Sequence, residues 1–156
     1  MLKKGDVFPE FSLPNQDGAI VKREDLIGKW VILYVYPKDD TPGCTIEGKE
    51  FSAGKENFDK LNAVILGISE DGVDSHKDFC NKYSFTIDLL ADEGGKLLKA
   101  AGVEQTDYKG TMYWSRTTFI IDPKGHVAKV YDKVKAEGHE KQVLEDLKEL
   151  HKQPVA

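Results

Sequence analysis

The clearest pattern in the chain is a run of seven apolar residues without alternation, Trp30-Val31-Ile32-Leu33-Tyr34-Val35-Tyr36. A strand with one wet face alternates apolar and polar positions, so an unbroken run predicts a strand buried on both faces. Ala63-Val64-Ile65-Leu66-Gly67-Ile68 repeats the pattern. Between them, over roughly residues 42–61, the period lengthens, and Phe51, Phe58 and Leu61, with Gly54, fall at helical spacing. A second helix is expected after Gly72, with Val73, His76, Cys80 and Tyr83 on one face. Leu89-Leu90-Ala91 reads as a short strand and residues 96–101 as a short helix. Thr117-Thr118-Phe119-Ile120-Ile121 predicts another strand, Asp122-Pro123-Lys124-Gly125 a turn, and residues 127–131 an antiparallel return. The last helix covers about residues 139–150, with Val143, Leu147 and Leu150 inward. Near the start, Phe11-Ser12-Leu13 and Ala19-Ile20-Val21 flank Pro14-Asn15-Gln16-Asp17-Gly18, a hairpin-like opening.

Alternating strands and helices, then a hairpin and a terminal helix, predict an α/β protein with a central mixed β-sheet flanked by helices. That order suits a thioredoxin-like fold. No internal repeat, low-complexity tract or linker interrupts the pattern, so residues 1–156 are expected to form one domain.

Charge and composition narrow the function. With 22 Lys and Arg against 27 Asp and Glu, the net charge is -5, and no basic block restores a footprint for nucleic acid. A spanning helix needs about 20 apolar residues, far more than the longest run here, so no membrane partner is expected. The basic residues Lys3 and Lys4 have no apolar stretch behind them, which argues against a secretory signal and for a cytoplasmic protein. Two cysteines, Cys44 and Cys80, cannot build a disulfide scaffold, and they form no CxxC pair. His76, His126, His139 and His151 include no metal-ligand spacing and no HExxH, so no metal is expected.

The chemistry concentrates where the first buried strand meets the first long helix, Tyr36-Pro37-Lys38-Asp39-Asp40-Thr41-Pro42-Gly43-Cys44-Thr45-Ile46-Glu47. Such strand-to-helix crevices are where α/β folds place their sites. Thr41 followed by Pro42 signals a helix start, with Thr41 as N-cap and Cys44 at the third helical position. Unpaired N–H groups and the positive helix end favour an anion there, so Cys44 is expected to be a partly sheltered nucleophile with a pKa below the ordinary value of about 8.5. Glycine and proline beside it leave its neighbourhood sparse. The bland alternative is a small apolar residue closing the helix end.

The sequence here resembles the peroxiredoxins. Pro37, Thr41 and Cys44 match that family's Pro-x-x-x-Thr-x-x-Cys pattern, and Ser115-Arg116-Thr117-Thr118-Phe119-Ile120-Ile121-Asp122 resembles its arginine segment. Residues 37–45 are close to the bacterioferritin comigratory protein, or Q-type, subfamily, and the likeness extends over about residues 5–150. The resemblance implies that Cys44 is the peroxidatic cysteine, oxidised to a sulfenic acid by hydrogen peroxide or an organic hydroperoxide. It implies that Thr41 hydrogen-bonds thiolate and peroxide, that Arg116 lowers the thiolate pKa and holds the reacting oxygens, that Pro37 shields the site, and that Glu47 is the acidic partner of Arg116. Outside the motif, Arg116 would read as a solvated charge, Thr41 as a plain N-cap and Glu47 as a surface residue of a first helical turn. No haem, flavin or metal is implied, the electron donor is thioredoxin or a similar dithiol, and the subfamily leans towards a monomer.

One departure matters. Many Q-type members carry a resolving cysteine five residues after the first, where this chain has Lys49. The resemblance then leaves Cys80 as resolving cysteine, in a Cys44–Cys80 disulfide, or an external thiol; Cys80 could also be a plain core cysteine. A bridge requires Cα atoms within about 7 Å, so the helix after Cys44 is expected to unwind locally on oxidation. Gly48 and Gly54 weaken it, each by roughly 1 kcal/mol relative to Ala, and Gly48→Ala is expected to slow disulfide formation alone. Two other functions compete: a thioredoxin-like thiol–disulfide exchanger, which the absent CxxC disfavours, and a non-enzymatic thioredoxin-fold binding module with structural cysteines.

Overall fold

The computed structural model describes residues 1–152. The chain opens with the two-stranded hairpin β1 (Ser12–Pro14) and β2 (Ile20–Lys22), followed by a single 3₁₀ turn over Arg23–Leu26. Then come β3 (Trp30–Val35), α1 (Pro42–Asp59), β4 (Ala63–Ser69), α2 (Val73–Tyr83), β5 (Asp88–Ala91) and α3 (Lys96–Ala100). A second hairpin, β6 (Gln105–Tyr108) and β7 (Thr111–Trp114), precedes β8 (Thr117–Ile121), β9 (Val127–Tyr131) and α4 (His139–His151).

The main sheet has the order β5-β4-β3-β8-β9. β3, β4 and β5 run parallel, while β8 is antiparallel to β3 and β9 to β8. This is the mixed sheet that the strand pattern predicts.

Every residue of β3 is buried, for the reason its unbroken apolar run suggests: both faces are covered. Trp30, Ile32 and Tyr34 point into one apolar cluster with Phe51 and Phe58 of α1, Phe79 and Cys80 of α2, and Val143 and Leu147 of α4. Val31, Leu33 and Val35 point into the other, with Phe8, Leu97, Leu98 and Trp114. Phe51 and Phe58 are wholly buried, each contributing roughly 1.5–3 kcal/mol of hydrophobic burial.

Two glycines of α1 serve close approach. A Cβ on Gly54 would lie 2.0 Å from Oε1 of Glu140, where α4 crosses, and one on Gly48 would lie 2.4 Å from the Phe85 ring just beyond α2. Gly48→Ala is therefore no clean probe of helix unwinding. It pushes on the segment that carries Cys80 as well as stiffening α1.

The β6–β7 hairpin has no counterpart in the sequence pattern. It is exposed along most of its length, so no apolar alternation marks it, and its turn is made by Lys109 and Gly110, both at positive φ. No helix among the described residues is long and apolar enough to cross a membrane.

Candidate active site

The parallel strands β3, β4 and β5 end on the same edge of the sheet, and α1 and α2 start there. Because β8 runs the other way, it begins at that edge: Val35 of β3 pairs with Thr117 of β8. Arg116, one residue before Thr117, is thereby brought beside the first turn of α1, across 72 positions of sequence from Cys44. No local pattern could place the two together.

Pro42 occupies the first turn of α1, as the Thr-Pro pair predicts, and Thr41 has the extended backbone of an N-cap. Its side chain does not cap, however. The Thr41 hydroxyl donates to the carbonyl of Lys38 at 2.9 Å, folding the loop back on itself. Pro37 is half-buried in the same loop.

Arg116 Nη2 donates to Cys44 Sγ at 3.3 Å, and Nη1 donates to Oε1 of Glu47 at 3.1 Å. Glu47 lies one turn after Cys44 and is 1% exposed, so the buried carboxylate orients the guanidinium over the thiol. Its other oxygen, Oε2, has no hydrogen-bond partner among the described residues. Burial pushes the Glu47 carboxyl up to about 7, against the pull of Arg116.

A pH dependence of stability follows. A carboxyl whose folded-state pKa lies above its unfolded value of 4.5 makes the folded protein bind the extra proton between those limits. The stability that Glu47 contributes should fall as pH rises from about 4.5 to about 7. Denaturant midpoints measured across that window should show the decline, and Glu47→Gln should flatten it.

Cys44 is more sheltered than its sparse sequence neighbourhood suggests, at 1% exposure. Burial is the dominant influence and pushes its thiol up; Arg116, the Thr41 hydroxyl and the Lys38 backbone amide pull it back. Against the expectation of a lowered thiol pKa, burial pushes the thiol up, and the cation beside it pulls the other way. Cys80, on α2, is also a free and buried thiol. Burial first, then Asp39, Asp88 and Asp17, push it up to about 12.

Gly43 is the site residue that sequence reasoning missed. A Cβ there would lie 2.5 Å from Arg116 Nη2 and 3.1 Å from Cζ, so the guanidinium lies in the space that a side chain would fill. A glycine inside a helical first turn, where no positive φ requires it, is the signal that could have found it.

Behind the loop lies a polar network of Tyr36, Asp39, Ser69, Asp71, Ser75 and His76. Among the described residues, Asp39, Asp71 and His76 offer ligand atoms within 4.8 Å of one another. Those atoms already hydrogen-bond to each other and to neighbouring hydroxyl and amide groups, as a proton-linked network does.

The comparisons with known proteins agree with this geometry. Residues 4–130 match the model of the AhpC/TSA family. The chain is 45% identical over 149 residues to a protein described as a putative peroxiredoxin bcp in Helicobacter pylori, covering 94% of this chain and 98% of that one. It is 38% identical to peroxiredoxin Bcp of Bacillus subtilis, over 94% and 95% of the two chains. A mutant of Xylella fastidiosa PrxQ superposes with a TM-score of 0.92 at 33% identity, covering 98% of this chain and 99% of the other. A bacterioferritin comigratory protein of Xanthomonas campestris, whose structure concerns alkyl peroxide reduction, superposes with a TM-score of 0.86 at 36% identity over 90% and 92%. A thiol held under a guanidinium on a thioredoxin-like sheet thus has its counterparts among proteins named for peroxide chemistry, and this chain belongs to the AhpC/TSA family, in its Bcp/PrxQ peroxiredoxin branch, as a thiol peroxidase.

Proposed function

We propose that Cys44 is the peroxidatic cysteine and that the contact between Arg116 Nη2 and Cys44 Sγ, at 3.3 Å, carries its reactivity. The Cys44 thiolate attacks the terminal oxygen of hydrogen peroxide or an organic hydroperoxide. An S–O bond forms as the O–O bond breaks, and the leaving oxygen takes a proton to depart as water or an alcohol. Negative charge moves from sulfur towards the departing oxygen, and Arg116, held by Glu47, stays beside it throughout. Burial opposes ionisation of the thiol and Arg116 favours it, so the cation already in place is what supports the attacking thiolate. The Thr41 hydroxyl orients the peroxide, and Pro37 keeps water from the thiol.

Cys80 resolves the sulfenic acid. Its sulfur attacks Cys44 Sγ, the S–S bond forms, the S–O bond breaks, and hydroxide leaves with the Cys80 proton as water. That both cysteines border one apolar cluster supports this assignment over an external thiol. The disulfide closes a loop of about 36 residues, worth ~4 kcal/mol in lost chain entropy before strain is subtracted. A thioredoxin-type dithiol donor returns both electrons. Resolution within one chain needs no second copy, in keeping with a monomer, and a thiol peroxidase recycled by a dithiol donor suits a reducing compartment such as the cytoplasm.

Stoichiometric hydrogen peroxide added to the reduced protein, followed by intact mass and thiol titration, tests this. The expected product has lost two hydrogens and both thiols. An added oxygen with Cys80 still free would transfer the resolving role to an external thiol, and no reaction would remove Cys44 from its role.

A further inference from the structure

The loop between Pro37 and Thr41 leads into α1 and also grips α2 near both ends. Asp39 is buried. Its carboxylate accepts from the Tyr36 hydroxyl at 2.6 Å and the Ser75 hydroxyl at 2.8 Å, and faces His76 Nδ1 at 2.7 Å. His76 Nε2 lies 2.9 Å from the Leu90 carbonyl oxygen, which can only accept, so this nitrogen carries a proton. The next residue, Asp40, accepts from Lys82 Nζ and from the Tyr83 hydroxyl, both at 2.7 Å. Ser75 and His76 sit in the first turn of α2 and Lys82 and Tyr83 in its last, with Cys80 between them.

We propose that Asp39 and Asp40 are positioning residues for the resolving step: two catches by which the Cys44 loop holds α2 shut, their release setting the rate at which Cys80 reaches Cys44. This rests on the assignment of Cys80 as the resolving thiol. Cys80 is buried within α2, and a disulfide needs the sulfurs about 2.05 Å apart, so in this proposal α2 loosens before the bond forms. An eleven-residue helix has little stability of its own and is held by its tertiary contacts. The bonds to Asp39 and Asp40 must break as α2 loosens, and hydrogen bonds to ionised acceptors are the stronger kind. The buried Asp39 catch is the firmer one, because the Asp40 pair is exposed to water. Neither carboxylate bonds to Arg116 or Glu47, so the catches act on the second step and leave the first alone.

The latch also sets the lifetime of the sulfenic acid. A sulfenic acid that waits meets a second hydroperoxide, gains its terminal oxygen to become a sulfinic acid, and releases water or an alcohol as the O–O bond breaks. A firmer latch therefore makes the protein easier to overoxidise.

Ser75→Ala and Tyr83→Phe cut one bond at each catch from the α2 side and leave the Cys44 loop unaltered. Asp40→Asn removes a charge while suiting the left-handed backbone at φ 59°, which asparagine tolerates. Rapid mixing of reduced protein with hydrogen peroxide separates the bimolecular first phase from the unimolecular disulfide phase, and intact mass counts sulfinic acid. The first rate constant should match wild type. The second should rise about tenfold in the Ser75→Ala/Tyr83→Phe double variant and less in Asp40→Asn. The peroxide concentration that overoxidises half the protein should rise by the same factor. Should the double variant fold poorly, Asp40→Asn alone decides. An unchanged or slower disulfide phase, with a wild-type disulfide present, overturns the latch only. A wild-type protein that forms no disulfide overturns the role of Cys80, and the latch with it.

Discussion

Replacing Arg116 with methionine should lower the second-order rate constant for hydrogen peroxide by about two to three orders of magnitude, the scale seen when one pre-placed donor to a developing charge is lost. The side chain that donates to Cys44 Sγ at 3.3 Å also holds Glu47 at 3.1 Å, so the substitution acts twice. Burial already pushes the thiol up, and Arg116 is the largest influence opposing it. Without that cation the thiolate fraction at a given pH falls, and the pH–rate curve should shift towards higher pH. Glu47 loses its counterion in a buried setting and answers by taking up a proton, so the variant should stay folded. Arg116→Lys should fall between wild type and Arg116→Met, because a single ammonium cannot reproduce a fork that bonds sulfur and carboxylate at once. Stopped-flow measurement of peroxide consumption over a pH series checks both points. A loss smaller than tenfold in Arg116→Met would remove the guanidinium from the centre of the mechanism.

Gly43→Ala should separate activity from stability. The added Cβ would meet Arg116 Nη2 at 2.5 Å, and that atom is the tip of a long side chain that can swing aside. Alanine also favours the helix by about 1 kcal/mol over glycine, so the melting temperature should hold or rise slightly. The displaced guanidinium, however, can no longer reach sulfur and Glu47 together, and the peroxide rate constant should fall by about tenfold or more. Paired measurements of melting temperature and rate constant decide it. An unchanged rate would mean that Arg116 acts from another position. Gly48→Ala is the contrast, because there the obstructing atoms belong to the Phe85 ring, and the penalty should fall on packing.

Much of the fold is legible in the sequence because it follows from local periodicity. The unbroken run in β3 is wholly buried, α1 begins at Pro42, and the Asp122–Gly125 turn reverses β8 into β9. The β6–β7 hairpin escapes because an exposed ribbon carries little hydrophobic signal. The network around His76 escapes for another reason. A histidine on a helix face has no sequence partner, and Asp39 stands 37 positions away from it.

The sequence by itself determined that a thiol stands in the first turn of a helix leaving a buried strand, and the resemblance to the peroxiredoxins implied Thr41, Glu47 and Arg116 as its company. The helix start is a local fact, written in the spacing of residues 37–47, whereas the company came from the family resemblance. Only the tertiary structure decided what that company does to the thiol. The antiparallel pairing of Val35 with Thr117 delivers Arg116, the space over Gly43 receives it, and the covering layers bury Cys44, setting desolvation against the charge beside it. A pKa depends on every group and every layer of solvent excluded around an atom, and most of these come from elements distant in the chain. Helix position could announce a nucleophile, but its ionisation depends on packing.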